Sequence, residues 1–105
     1  MDKKFEKELE TFALEVCNFY NIDLEILKSN KRDRHIVLSR NIIIYCFKDK
    51  VTQNRISLSS FMGFFNRSHS TYFHSILSIE NEIETNNYIR KVVYNFKALL
   101  NEITN

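Results

Sequence analysis

An all-α fold of about six helices is the class that this 105-residue sequence predicts. Three observations carry it. Proline is absent and glycine occurs once, at Gly63, which leaves too little punctuation for a β-sandwich. Hydrophobic residues make up 44% of the chain, too many for a disordered segment. Apolar positions recur every three or four residues along most of its length, as the buried faces of helices do. One domain spanning residues 1–105 is expected, with a core that needs no metal or disulfide staple.

The first helix follows from Phe5, Leu9, Phe12, Ala13, Val16, Cys17 and Tyr20, which share one face while Lys and Glu occupy the other. It should end near Asn21. Asp23 suits the N-cap of a short turn, DLEILK, whose Leu24 and Leu27 fold back on the core. The stretch SNKRDRH, residues 29–35, has no apolar side chain and reads as a basic loop. Residues 36–47, IVLSRNIIIYCF, are apolar nearly all round, and their β-branched content suits a strand slightly better than a helix. A helix is nevertheless expected, because no second strand-like segment exists and a lone strand leaves its backbone unsatisfied.

KDKVTQNRI then reads as helix end plus connection. Ser57 can cap a short helix in LSSFMGFF, with Leu58, Phe61, Met62 and Phe65 on one side. Asn66 is the expected turn residue, since asparagine tolerates the left-handed conformation. Either Ser68 or Asn66 caps the next helix, which is expected to continue through Ile83. After ETNN, a last helix carries Ile89, Val92, Val93, Phe96, Leu99, Leu100 and Ile103 along one stripe.

The segment FFNRSHSTYFHSI, residues 64–76, departs from ordinary helix chemistry. Its core stripe is Tyr72 or Phe73, Ile76, Ile79 or Glu80, and Ile83. A second stripe, Arg67, Thr71, His74 and Ser78, holds no large apolar residue, and Ser68, Ser70 and Ser75 flank it. A merely solvated face usually carries Lys and Glu, whereas Ser, Thr and His are mediocre helix formers. Short donors and acceptors suit a helix lying in a DNA major groove, and a short preceding helix with a tight turn makes a helix-turn-helix. From pattern alone, a Ser/Thr-rich cap without function fits equally well.

Charge is uneven although the net value is only +2. Residues 1–27 carry −4, residues 28–67 carry +7 and residues 68–105 carry −1. A basic band in a nearly neutral chain suits contact with a polyanion, because cations near phosphates release condensed counterions.

Other chemistries are poorly served. Cys17 and Cys46 lie in apolar segments without metal-ligand spacing and read as buried free thiols of a reducing, cytoplasmic compartment. His69 and His74 point about 140° apart on a helix and cannot share an ion, and His35 stands alone. No GxSxG elbow or phosphate-binding loop exists, so no enzyme, nucleotide or cofactor is expected. No run approaches the length of a membrane span, and the charged start MDKKFEKELE is not a signal peptide.

The order of these features resembles the C-terminal DNA-binding domain of the bacterial replication initiator DnaA, from about Phe12 to Glu84. FYNIDLEIL looks like that family's helix end and short following helix, and KRDRHIVLSRN is similar to its basic loop and central helix start. SLSSFMGFF resembles the first helix of its helix-turn-helix, and NRSHSTYFHSI its signature at the recognition helix. The resemblance implies a Trp repressor-like arrangement that binds double-stranded DNA. It implies that Arg32, supported by Lys31 and Arg34, enters the minor groove, and that Arg40 and Asn41 touch phosphate. It implies base reading by Ser68, His69, Ser70 and Thr71, with His74 as a base or backbone contact. Ser68 and Ser78 stand where the family carries an acidic and a basic residue, which implies a changed preferred sequence.

The expected function is therefore sequence-specific binding of duplex DNA in replication-origin recognition or its regulation, with phosphate contacts from Lys28, Arg40, Arg55 and Arg67. A stand-alone domain without the initiators' ATPase module is expected. The alternative is a small transcriptional regulator or a protein-interaction module, docking on an initiator or regulatory protein through residues 86–105. Deleting those residues would then abolish partner binding while Arg32 stayed dispensable.

Overall fold

Six helices form in the order α1 (Lys3–Tyr20), α2 (Leu24–Leu27), α3 (Arg34–Gln53), α4 (Leu58–Gly63), α5 (Thr71–Thr85) and α6 (Asn87–Thr104). They come from a computed structural model that describes residues 1–105 and contains no strand. The all-helical expectation holds, and with it the choice of helix over strand for residues 36–47.

α3 is the axis of the domain and packs against α1, α2, α5 and α6. That placement explains its sequence: every side chain from Ile42 to Phe47 is buried, so no polar face is needed there. Phe47 sits at the centre of an aromatic cluster, with ring centroids 5.6 Å from Phe5, 5.6 Å from Phe12 and 6.2 Å from Phe61. The expected stripes of α1 and α6 meet this cluster, Phe12 and Phe96 at 5.9 Å in an edge-to-face pair.

Two boundaries of α3 differ from expectation. Its first residue is Arg34, so this arginine leaves the basic loop, and Asp33 occupies the N-cap position without a side-chain cap bond. Its end is Gln53, so most of KDKVTQN continues the helix; Val51, 2% exposed, holds this extra turn to the core.

Three helices end in the same way. Asn21 (φ 57°), Arg55 (φ 55°) and Asn66 (φ 56°) adopt the left-handed conformation after α1, α3 and α4. In each case the next residue's amide reaches back five positions in the Schellman pattern: Ile22 to the Cys17 carbonyl, Ile56 to that of Val51 and Arg67 to that of Met62. Asn66 is therefore the residue that closes the turn after α4, as the sequence suggested, rather than the cap of α5.

α6 is integral to the core. It is capped by Asn86, whose Oδ1 accepts from the Ile89 amide at 3.1 Å, and it buries Ile89, Val92, Val93, Phe96 and Leu100. Truncation at residue 86 would thus remove part of the core, and the deletion offered above cannot separate the two functional readings.

Candidate nucleic-acid interface

The interface is built from the turn that joins α4 to α5. Ser57 caps α4, its Oγ accepting from the Ser60 amide at 3.1 Å, and α4 buries Phe61 and Met62. The left-handed Asn66 then turns the chain, and α5 begins at Thr71, later than Ser68 or Asn66 as its cap would give. Ser70 holds the N-cap position with helical backbone angles and no side-chain cap bond. Ser68 and Ser70 instead join hydroxyl to hydroxyl at 2.9 Å. Ser68, His69 and Ser70 are all exposed in this turn, and Thr71 is half-buried.

α5 resolves the two ambiguous core positions. Tyr72 (5% exposed) and Ile79 (0%) face the core, while Phe73 is 66% exposed and Glu80 points outward. His74 and Ser78 are exposed on the flank that carries Thr71. Ser75, expected beside that flank, is 2% exposed between α5 and the rest, and its hydroxyl has no hydrogen-bond partner.

The loop at residues 28–33 is fastened to this turn. Arg40, on α3, donates from Nε and Nη2 to the Leu27 carbonyl at 3.1 and 2.9 Å, and from Nη2 to the Ser29 carbonyl at 3.4 Å. Arg67 donates from Nη2 to the same Ser29 carbonyl at 2.6 Å and from Nη1 to Asn30 Oδ1 at 3.3 Å. Asn66 Nδ2 donates to the Lys28 carbonyl at 3.4 Å, and the Lys28 ammonium lies 4.3 Å from the centre of the Phe64 ring.

These contacts create a concavity between the loop, α3 and α5. Arg32, Arg40 and Arg67 line it together with Thr71, His74 and Asn41, and no carboxylate does. Burial, with the Arg67 and Arg32 guanidiniums second and third, pulls the Arg40 pKa down to about 10. Arg40 therefore stays charged at neutral pH, in a cluster of like charges that the fold does not neutralise. An anion is the ligand such a site is suited to.

The structure thus brings together Arg32, Arg40, Asn41, Arg67, Thr71 and His74. Lys28 lies at the edge of the same fastening, and Lys31 and Arg32 are exposed in the loop itself. Arg34 stands apart on α3, 4.0 Å from Glu82 on α5, a pair too exposed to matter much for stability. Arg55 is exposed in the left-handed turn ahead of α4. Arg40, expected on a phosphate, is 5% exposed with its fork bound to carbonyls. Sequence reasoning did not single out Asn30 or Val37 as lining residues; Asn30 carried no signal beyond its place in the loop.

No helix is long and apolar enough to cross a membrane. The family model described as the bacterial DnaA protein helix-turn-helix matches residues 10–79. Among curated proteins, the chromosomal replication initiator DnaA of Thermoanaerobacter sp. (strain X514) is 31% identical over 96 residues, covering 91% of this chain and 21% of that protein. DnaA of Chlorobaculum tepidum is 31% identical over 85 residues, covering 81% of the chain and 17% of the relative. DnaA of Flavobacterium psychrophilum is 27% identical over 90 residues, covering 86% and 18%. The chain matches only a small part of the length of these relatives.

Proposed function

This chain belongs to the bacterial DnaA helix-turn-helix family, and on that premise we propose that it binds duplex DNA in a sequence-dependent way, in replication-origin recognition or its regulation. The turn from Ser68 and the first residues of α5 enter the major groove, and the 28–33 loop lies on the adjacent minor groove. Ser68, His69, Ser70 and Thr71 read base edges, and His74 contacts a base or the backbone. Arg32 enters the minor groove with Lys31 beside it, while Lys28, Asn41 and Arg55 meet phosphates.

The observation that carries this reading is the convergence of Arg32, Arg40 and Arg67 on one concavity that the Thr71 and His74 stripe also lines, with no carboxylate present. Arg40 and Arg67 hold loop carbonyls, but those neutral acceptors leave three like charges together with no carboxylate to offset their repulsion. A polyanion in that place reverses the sign. The small side chains on the neighbouring stripe let a duplex approach the backbone and offer hydroxyl and imidazole groups to base edges.

Single substitutions test the division of labour. His69→Ala or Thr71→Ala should cost about 1–3 kcal/mol at a selected site and relax the preference at one base position. Lys28→Ala should weaken all duplexes alike and lower the salt slope by about 0.9. A uniform loss from Thr71→Ala contradicts base reading by that residue.

A protein-docking role has one observation in its favour. Phe19 (52% exposed) and Tyr88 (64% exposed) rim an apolar groove between α1 and α6, floored by Val92 and Phe96. Phe19→Ser with Tyr88→Ser leaves the core stripe of α6 intact, and DNA binding should survive it. A loss of DNA binding in that double variant contradicts the placement of the interface on the loop and α5.

A further inference from the structure

We propose that Arg40 and Arg67 are positioning residues: they lock the 28–33 loop to the turn ahead of α5 and so fix the spacing between the two DNA-reading elements. The inference rests on the DNA-binding reading above and replaces the phosphate contacts that the sequence suggests for Arg40 and Arg67. A phosphate ligand needs a guanidinium whose donors face solvent. Arg40 is 5% exposed, and two of its three nitrogens are already bound to loop carbonyls.

Three successive carbonyls, at the end of α2 and the start of the loop, are held from outside the segment. Arg40 takes that of Leu27, Asn66 takes that of Lys28, and Arg40 and Arg67 share that of Ser29. The holders come from two sources, the central helix and the helix-turn-helix turn. The local bonds of the loop are few: the Lys28 amide to the Leu24 carbonyl at 3.1 Å, the Ser29 amide to the Ile26 carbonyl at 3.1 Å, the Ser29 hydroxyl to the same oxygen at 2.6 Å, and the Lys31 amide to Ser29 Oγ at 3.2 Å. Arg32 follows directly after the held segment, so its reach is set by these fastenings.

The chemistry calls for arginine. Nε and Nη2 form a planar fork that grips one carbonyl while Nη2 also reaches a second, whereas a lysine offers one point charge on a flexible stem. Carbonyls that lose these donors at a part-buried site are left unsatisfied or admit water, and the segment loosens. A loose loop still carries its charges. What it loses is register with α5, and register bears on discrimination between sequences more than on attraction to phosphate.

Two charge-conserving variants, Arg40→Lys and Arg67→Lys, separate the roles in the full chain. The first readout needs no DNA: amide hydrogen exchange at Lys28 and Ser29. Exchange there should rise by about tenfold or more, the scale of one lost charge-assisted hydrogen bond, while the core amides of α1 keep their protection. The second readout is the ratio of affinities for a selected duplex and a scrambled duplex of equal composition, at several salt concentrations. The ratio should fall by about tenfold while the salt slope stays unchanged, because the number of phosphate contacts is conserved. If Arg40→Lys perturbs folding, Arg67→Lys at its half-buried position reads the same quantities. Wild-type exchange at Lys28 and Ser29 in both variants overturns the clamp. A wild-type affinity ratio with a loosened loop overturns its role in discrimination. If the unaltered protein enriches no duplex at all, the DNA reading fails, and the exchange result still decides whether the clamp exists.

Discussion

Arg55→Gly should stabilise the protein and weaken its hold on DNA. Arg55 occupies the left-handed position that ends α3, with φ 55°, and its side chain makes no hydrogen bond or ion pair. The two bonds that close this end, from the Arg55 amide to the Thr52 carbonyl at 3.2 Å and from the Ile56 amide to that of Val51 at 3.0 Å, use backbone alone and survive the change. An L-residue in this conformation costs about 1–2 kcal/mol. Glycine avoids that cost but adds roughly 0.5–1 kcal/mol of unfolded-chain entropy to be overcome. The net gain is therefore about 0.5–1 kcal/mol, and urea unfolding followed by circular dichroism resolves it as a higher midpoint at unchanged slope. Fluorescence anisotropy on the same variant should show weaker binding to all duplexes and a salt slope smaller by about 0.9, one phosphate contact. A lower urea midpoint refutes the conformational argument. A higher midpoint with an unchanged salt slope refutes the phosphate contact by Arg55.

Further outcomes follow from the core and its thiols. Ser75→Ala should raise stability by about 1 kcal/mol, since it removes a buried hydroxyl that lacks a partner and installs the best helix former; a drop in the urea midpoint would mean that the hydroxyl is satisfied. Phe47→Ala, at the centre of the aromatic cluster and fully buried, should cost about 3–5 kcal/mol, and a loss below about 1 kcal/mol contradicts the packing described. Burial raises Cys17 from 9.0 to about 11, with Asp23 adding to the effect, and burial raises Cys46 from 9.0 to about 12. The unfolded chain therefore releases these protons first, so this contribution to stability is complete below pH 9 and is lost as pH rises through about 11 to 12. Unfolding free energies measured at stepped pH should fall across that window, and the Cys17→Ala, Cys46→Ala double variant should fall less steeply; an equal slope in both contradicts the assignment.

The helices were legible because each buried face repeats with the helical period. Phe5 to Tyr20 and Ile89 to Ile103 could be read off in register. The extra turn of α3 was not, because Lys48, Asp49, Lys50, Thr52 and Gln53 look like a connection, and only the four-residue step from Phe47 to Val51 marks the helix continuing. Asp33 is a cap-type residue directly ahead of Arg34, a local signal that could have moved the start of α3 out of the loop. Tyr72 and Phe73 were a pair that projection alone does not separate, since neighbours on a helix both lie near the edge of one face.

The candidate site was legible as a set of residue types and as a family resemblance. Its geometry was not. Arg40 finds its acceptors 13 and 11 residues away, at Leu27 and Ser29, and a one-dimensional reading sees only an arginine in a basic band. Arg67 reaches 38 residues back to Ser29. Both contacts exist only after α2, α3 and the helix-turn-helix turn have packed, which is why a charge that looks available for phosphate is engaged within the fold.

The central claim is that the Ser68–Thr71 turn and the 28–33 loop together read duplex DNA. Its most direct test incubates the protein with a random pool of labelled duplexes at two salt concentrations, then sequences the bound fraction. The account predicts one enriched motif, binding that weakens steeply with salt, and loss of enrichment at the minor-groove half of the motif in Arg32→Ala. Absence of binding even near 50 mM salt, or a motif unchanged by Arg32→Ala, would contradict it.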